Sequence, residues 1–74
     1  MRAEDLRTLL QRQPYPLLRL HLSSGLVFEL PEPDLVLITR STVEILLPNQ
    51  DSRTREAVIS LLHVVWVEVL VAPE

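Results

Sequence analysis

Two histidines and one serine are the side chains of this 74-residue chain best suited to chemistry. His21 and His63 are the only imidazoles, and the chain contains no cysteine. A zinc site needs three or four ligands, and no carboxylate lies at ligand spacing from either histidine. We therefore expect no bound metal. We expect His21 to be solvated on the outer face of a strand, and His63 to complete a corner through a backbone hydrogen bond.

Ser60 and His63 stand three residues apart, which raises the question of a hydrolytic site. A nucleophilic serine needs a base, an acid that orients the base, and a rigid enclosure. The sequence offers no acid in a suitable position. A phosphate-binding loop is excluded as well, because Gly25 is the only glycine. The sequence therefore predicts no catalytic residue, no cofactor and no small-molecule substrate.

The charged residues argue against broad binding to nucleic acid. Seven arginines stand against ten acidic residues, no lysine is present, and the formal charge is −3. Non-specific binding to phosphates needs clustered basic residues. Arg2, Arg7 and Arg12 recur every five residues, which is about 140° of helix rotation each time, so they spread around a helix. A local patch remains open, and the residues that could contact RNA are Arg19, His21, Arg53 and Arg55.

Hydrophobic periodicity predicts one helix followed by short strands. Leu6, Leu9 and Leu10 form an apolar stripe, which predicts a helix over residues 3–13 that Pro14 ends. Alternation of apolar and polar residues predicts strands over residues 16–23, 26–30, 35–39, 42–47, 55–62 and 64–71. A corner is required near residues 61–63, because an unbroken strand over residues 55–71 would be about 55 Å long.

The order of elements predicts a single domain over residues 1–74, mainly β in class. One helix and five or six short strands, several apolar on both faces, close most economically into a small barrel with the helix at one end. No run reaches the roughly 18 apolar residues of a membrane-spanning helix, and acidic residues occupy the N-terminus. We therefore predict a cytoplasmic protein with no membrane partner.

This order of elements resembles the Sm-like fold, and the Hfq family of bacterial RNA chaperones in particular. In that family a helix precedes a strand, a glycine turn and a second strand, which correspond here to residues 16–23, Gly25 and residues 26–30. The Val58-Ile59-Ser60 segment and the strand after it correspond to the family's last two strands. The resemblance implies a strongly bent five-stranded barrel that assembles into rings. The chain is also similar to a group of short bacterial proteins that share the Ser23-Ser24-Gly25 turn and an Ile-Ser-Leu-Leu-His run over residues 59–63.

The departures from the Hfq pattern concern its RNA site. The family has a Lys-His pair just before its Ala-Ile-Ser segment, and this chain has Arg55-Glu56-Ala57 in the matching region. The resemblance therefore implies the fold and ring assembly, and the uridine-binding pore does not transfer residue by residue.

The last two strands are where we expect copies of the chain to meet. Trp66 has two interpretations: it points outward into an interface, or it packs under the N-terminal helix. An apolar outer strand without lysine invites pairing with another chain. The residues predicted for the interface are Val58, Ser60, Leu62, Val64, Trp66, Glu68 and Leu70. The sequence therefore predicts a non-enzymatic, self-associating module, and the alternative is an RNA-binding ring.

Overall fold

The computed structural model describes residues 1–30, 32–47 and 55–71. Its helix α1 is Ala3–Leu10, and its strands are β1 Leu17–Leu22, β2 Val27–Leu30, β3 Val36–Ile38, β4 Thr42–Leu47, β5 Arg55–Ser60 and β6 Val64–Leu70. Short 3₁₀ turns at Pro33–Leu35 and Leu61–His63 lead into β3 and β6. The prediction of a mainly β chain with an N-terminal helix is confirmed.

The predicted closed, five-stranded Sm-like barrel is wrong. The six strands form two separate antiparallel sheets, with the orders β2-β1-β6 and β3-β4-β5. A closed barrel requires every strand to pair on both sides, and within the described chain β5 does not pair with β6, nor β2 with β3. The 3₁₀ turn Leu61–His63 redirects the chain, and the backbone N–H of Ser23 donates to the carbonyl of His63 at 2.8 Å. This bond brings the start of β6 to β1, so that β5 is left as an outer strand.

Alternation along the central strands builds the core. Leu18 and Leu20 of β1 are fully buried, as are Val43 and Ile45 of β4. The residues between them point to the opposite side of each sheet, as the two-residue period of a strand requires. A single cluster joins the buried residues of both sheets and α1, and it consists of Leu6, Leu18, Leu20, Leu30, Val43, Ile45, Ile59, Leu61 and Val64.

The helix covers this core with one leucine. Leu6 is fully buried, and Leu9 and Leu10 pack against the same cluster while half-buried. The helix ends at Leu10, three residues before the predicted end, with Gln11 as its C-cap. Gln13 precedes a proline and is therefore disfavoured in helical geometry, which limits how far the helix can run. No helix in the described ranges is long and apolar enough to cross a membrane.

A β-bulge changes which residues of β6 face the core. Trp66 pairs with His21, but the next pair along is Val64 with Leu22, so Val65 is an extra residue. The bulge lets Val64 face inward, and its side chain is 5% exposed. The prediction that Val64 contributes to an exposed interface is therefore not supported, because strict alternation does not hold across the bulge.

We expect Leu6→Ala to reduce the free energy of unfolding by about 2–5 kcal/mol, because it removes a fully buried leucine and leaves a cavity. Urea denaturation followed by circular dichroism measures this change. Thr8→Ala, on the exposed side of the same helix, is the matched control. Equal midpoints for the two variants would mean that α1 is not docked on the sheets.

Candidate functional site

The residues predicted for an interface lie on the outermost strands of the two sheets. Val58 is 61% exposed on β5, Trp66 is 51% exposed on β6, and Leu62 in the turn between these strands is 90% exposed. Ser60, Glu68 and Leu70 are half-buried. The exposed members therefore form a run of apolar surface along the chain from β5 into β6.

The other two outer strands, β2 and β3, are short and are covered at their ends. They contain four and three residues, and Pro33 lies in the turn between them. The guanidinium of Arg7 donates at 3.2 Å to the carbonyl of Ile38, whose backbone groups face the open edge of β3. The hydroxyl of Tyr15 donates at 3.4 Å to the carbonyl of Leu30 at the end of β2, and this carbonyl faces β1. The Tyr15 phenol is protonated at neutral pH in any case, and burial raises its pKa further. Short strands, prolines and side-chain contacts are the usual protections of a sheet edge.

In the described chain, strands β5 and β6 lack a covering side chain, although β5 begins with the charged residues Arg55 and Glu56 and β6 contains the bulge at Val65. These strands have six and seven residues, and within the described ranges no side chain hydrogen-bonds to the backbone of either. An outer strand with free N–H and C=O groups is a template for pairing with another strand. Within the described residues, each sheet therefore has one longer outer strand whose backbone edge no side chain covers, β5 in one sheet and β6 in the other.

The hydrogen-bond pattern identifies which residues of β5 face its open edge. Residues in an antiparallel ladder alternate between bonding to one neighbouring strand and to the other. The N–H of Leu61 donates to the carbonyl of Ser41 at 2.8 Å, so Leu61 and, two residues earlier, Ile59 bond toward β4. Glu56 and Val58 alternate with these residues and present their backbone groups to the open edge.

The same reasoning applies to β6. The N–H of Leu22 donates to the carbonyl of Leu26 at 2.9 Å, so Leu22 bonds toward β2 and its neighbour His21 bonds toward β6. Trp66 pairs with His21 and therefore faces β1. Val67 comes next and presents its N–H and C=O to the open edge, with its side chain on the core side.

A polar cluster surrounds Trp66 on the outer face of the first sheet. The ring of His21 stacks on the indole of Trp66 with the centroids 3.9 Å apart and the planes 10° from parallel. His21 Nε2 lies 3.1 Å from Glu68 Oε1, and Arg19 lies 3.2 Å from Glu29 and 3.8 Å from Glu68. Trp66 thus points outward and does not pack under the helix, and His21 is half-buried where the sequence predicted a solvated side chain.

These contacts bear on the predicted RNA residues. Arg19 and His21 are neighbours on the outer face of β1. The carboxylates of Glu29 and Glu68 together neutralise the guanidinium of Arg19. Arg55 is exposed at the start of β5, in the other sheet. Arg53 lies outside the described residues. The structure therefore does not bring Arg55 into the same sheet as Arg19 and His21.

A hydroxyl–imidazole pair forms at the turn, with a serine that sequence reasoning did not select. Ser23 Oγ lies 3.1 Å from His63 Nδ1, while Ser60 is absent from the hydrogen bonds of His63. Forty residues separate Ser23 from His63, so no local spacing could have indicated the pair. In the described ranges no carboxylate hydrogen-bonds to His63, and the pair lacks the third group that orients the base of a hydrolytic triad.

The described residues contain no cluster of three or more side chains that could hold a metal ion. Two carboxyl groups do meet on the outer face of the second sheet, where Glu44 and Glu56 lie on neighbouring strands. A hydrogen bond to Glu56, burial and repulsion by its charge together raise the pKa of Glu44. The pair therefore favours a shared proton as the pH falls.

Comparisons with protein-family models, with curated proteins and with solved structures found no match. Function is therefore inferred from the geometry of this chain.

We expect Glu44→Gln to raise the thermal midpoint near pH 7. The raised pKa means that the folded protein favours protonated Glu44, so the charged form destabilises the fold above that pKa and the penalty disappears as the pH falls through it. Thermal unfolding over a range of pH measures the effect. Glu32→Gln, at an exposed site, is the control, and a gain in midpoint that persists in acid would contradict the shared-proton interpretation.

Proposed function

We propose that this protein is a non-enzymatic structural or interaction module that assembles with copies of itself. Strand β5 of one copy pairs with β6 of the next. The observation that carries the proposal is the contrast, within the described residues, between the short outer strands β2 and β3 and the longer outer strands β5 and β6, whose backbone edges no side chain covers. Because β5 and β6 differ in sequence, each copy offers one template and accepts the other.

The exposed apolar side chains support pairing between copies. Val58, Leu62, Val65 and Trp66 are each more than half exposed, and they lie on β5, on β6 or on the turn that joins them. Lysine is a common guard of outer strands, and this chain contains none. Burying these side chains against a second copy would remove apolar surface from water, at about 25 cal/mol for each Å².

Pairing of two different edges has a consequence for symmetry. Such a contact is head-to-tail, and repeated contacts of this kind either close into a ring or continue as an open chain. The small size of the domain adds weight to assembly, since a chain of this length without cysteine forms no disulfides and association is another source of stability. The proposal therefore includes a ring-type homo-oligomer as its closed form.

The alternative of an RNA-binding ring gains no specific support. Glu29 and Glu68 compensate the positive charge of Arg19 and His21, and phosphate binding depends on uncompensated cations. We therefore confine the proposal to self-association.

Light scattering coupled to size-exclusion chromatography tests the proposal directly. We expect the wild-type mass at micromolar concentration to be a multiple of 8.5 kDa. We expect Val58→Lys to shift the distribution to monomer without unfolding, because it places a charge on the exposed side of the open edge.

Leu37→Lys is the matched control. Leu37 and Val58 are both 61% exposed and lie on opposite outer strands of the same sheet, β3 and β5. The proposal requires the oligomer to survive Leu37→Lys. A wild-type protein that remains an 8.5 kDa monomer, or equal dissociation by both substitutions, would refute it.

A further inference from the structure

A cleft beside the open edge of β5 has no occupant within the described chain. Its volume is about 510 Å³, and its apolar lining includes Leu22, Phe28, Ala57 and Ile59. This volume lies in the range of about 300–1,000 Å³ that is typical of ligand-binding clefts. Ser23 and His63 line the same cleft, so hydrogen-bonding groups are available within an otherwise apolar space.

Trp66 is a large side chain on the other open strand, and in the described chain only one face of its ring is covered. It is 51% exposed, and the stacked ring of His21 covers one face of the indole. Tryptophan is enriched among the residues that dominate binding between proteins, because it combines a large apolar surface with one N–H donor. Stacking on His21 holds the indole in one orientation before any contact forms, which lowers the entropic cost of binding.

We take β5 of one copy to pair with β6 of the next in the antiparallel sense, which is the more stable of the two senses per residue. The backbone geometry of such a pair brings the cleft and Trp66 together. Residues with backbone groups at the facing edges then stand opposite each other, with side chains on the same side of the joint sheet. Val58 and Val67 are such residues, and Val58 points away from its own core while Val67 points into its own. In this arrangement Ile59, which follows Val58, stands opposite Trp66, which precedes Val67. The side chains of Ile59 and Trp66 then lie on the other side of the joint sheet.

We propose that Trp66 of one copy fills the cleft beside β5 of the next copy. This inference rests on the proposed function, and it adds the side chain that anchors the contact. In the register that places Val58 opposite Val67, Trp66 lies opposite Ile59, which lines the cleft. The Ser23 hydroxyl and the His63 ring, which line the same cleft, offer acceptors for the indole N–H.

The same register buries a second apolar contact. Val58 comes to lie beside Val67 of the neighbouring copy, whose side chain packs against its own core. The outer face of β5 thereby continues onto the inner face of the next copy's β6. An exposed valine on one copy thus extends the core of another.

Intrinsic fluorescence tests the proposal on the wild-type protein, since Trp66 is the only tryptophan. We expect the emission maximum to shift to shorter wavelength and acrylamide quenching to fall as the concentration is raised through the association range. A growing mass with unchanged emission and quenching would overturn this inference and leave the proposed self-association intact. A mass that stays at 8.5 kDa would overturn the proposed function and this inference with it.

Substitution provides a second measurement. We expect Trp66→Ala to raise the dissociation constant of the assembly about 30-fold or more, as for other central anchor residues. Leu26→Ala is the control, because Leu26 is 59% exposed but lies in the turn before β2, away from both open strands. Equal effects of the two substitutions, with both proteins folded by circular dichroism, would contradict the anchoring role.

Disulfide trapping tests the register, since the natural chain contains no cysteine. Mixing Val58→Cys protein with Val67→Cys protein should give a covalent dimer of the two variants under mild oxidation, because directly opposite residues meet the distance requirement of a disulfide. Mixing Val58→Cys with Glu68→Cys tests the parallel alternative, in which Val58 and Glu68 share a face. Efficient trapping of that second pair in place of the first would overturn the antiparallel arrangement.

Discussion

Peptide groups at the edge of a sheet need hydrogen-bond partners, and in this protein that requirement acts on four outer strands at once. Each of the two three-stranded sheets has two edges, and these edges differ in how other residues cover them. Tyr15 and Arg7, from the segment before β1 and from α1, donate to carbonyl groups of β2 and β3. Helix α1 therefore covers the open edge of β3 at Ile38 as well as packing on the core. The edges of β5 and β6 receive no such cover from the described residues, and the proposed assembly depends on that difference.

The large apolar fraction of the chain follows the same division. Nine residues form the buried cluster, and a domain of this size has little interior for more. Part of the remaining apolar surface lies on β5, on β6 and in the turn between them, next to the unpaired backbone groups. Apolar side chains gain stability by burial, and free peptide groups need hydrogen-bond partners. Pairing with a second strand would satisfy both requirements at the same place. The outer face of β1 is different, because His21, Glu68 and Arg19 bind one another around Trp66 and hold its ring in place.

Much of the local structure could be predicted from the sequence. The helix begins at the predicted residue, the strands fall within the predicted ranges, and the corner near Leu61 is a 3₁₀ turn. Local rules of this kind succeed because apolar periodicity and proline restrictions act within a few residues. The prediction of a closed barrel was wrong because alternation indicates which residues share a face and leaves open which strands pair. The inward position of Val64 was missed for a related reason, since a bulge at Val65 shifts the alternation by one residue and nothing in a run of valines marks it.

The sequence by itself determined the class of elements, the buried leucines of β1 and the lack of cysteine, lysine and glycine-rich loops, because these depend on residue type and short-range spacing. Only the tertiary structure decided that β6 returns to β1, that Ser23 meets His63, and that Trp66 stacks outward on His21. Each of these contacts joins residues 40 or more positions apart, where pairing depends on the balance of the whole core and on which edges remain free. Which strand edges are covered and which remain open is decided by that balance. The proposed function is inferred from this difference between the edges.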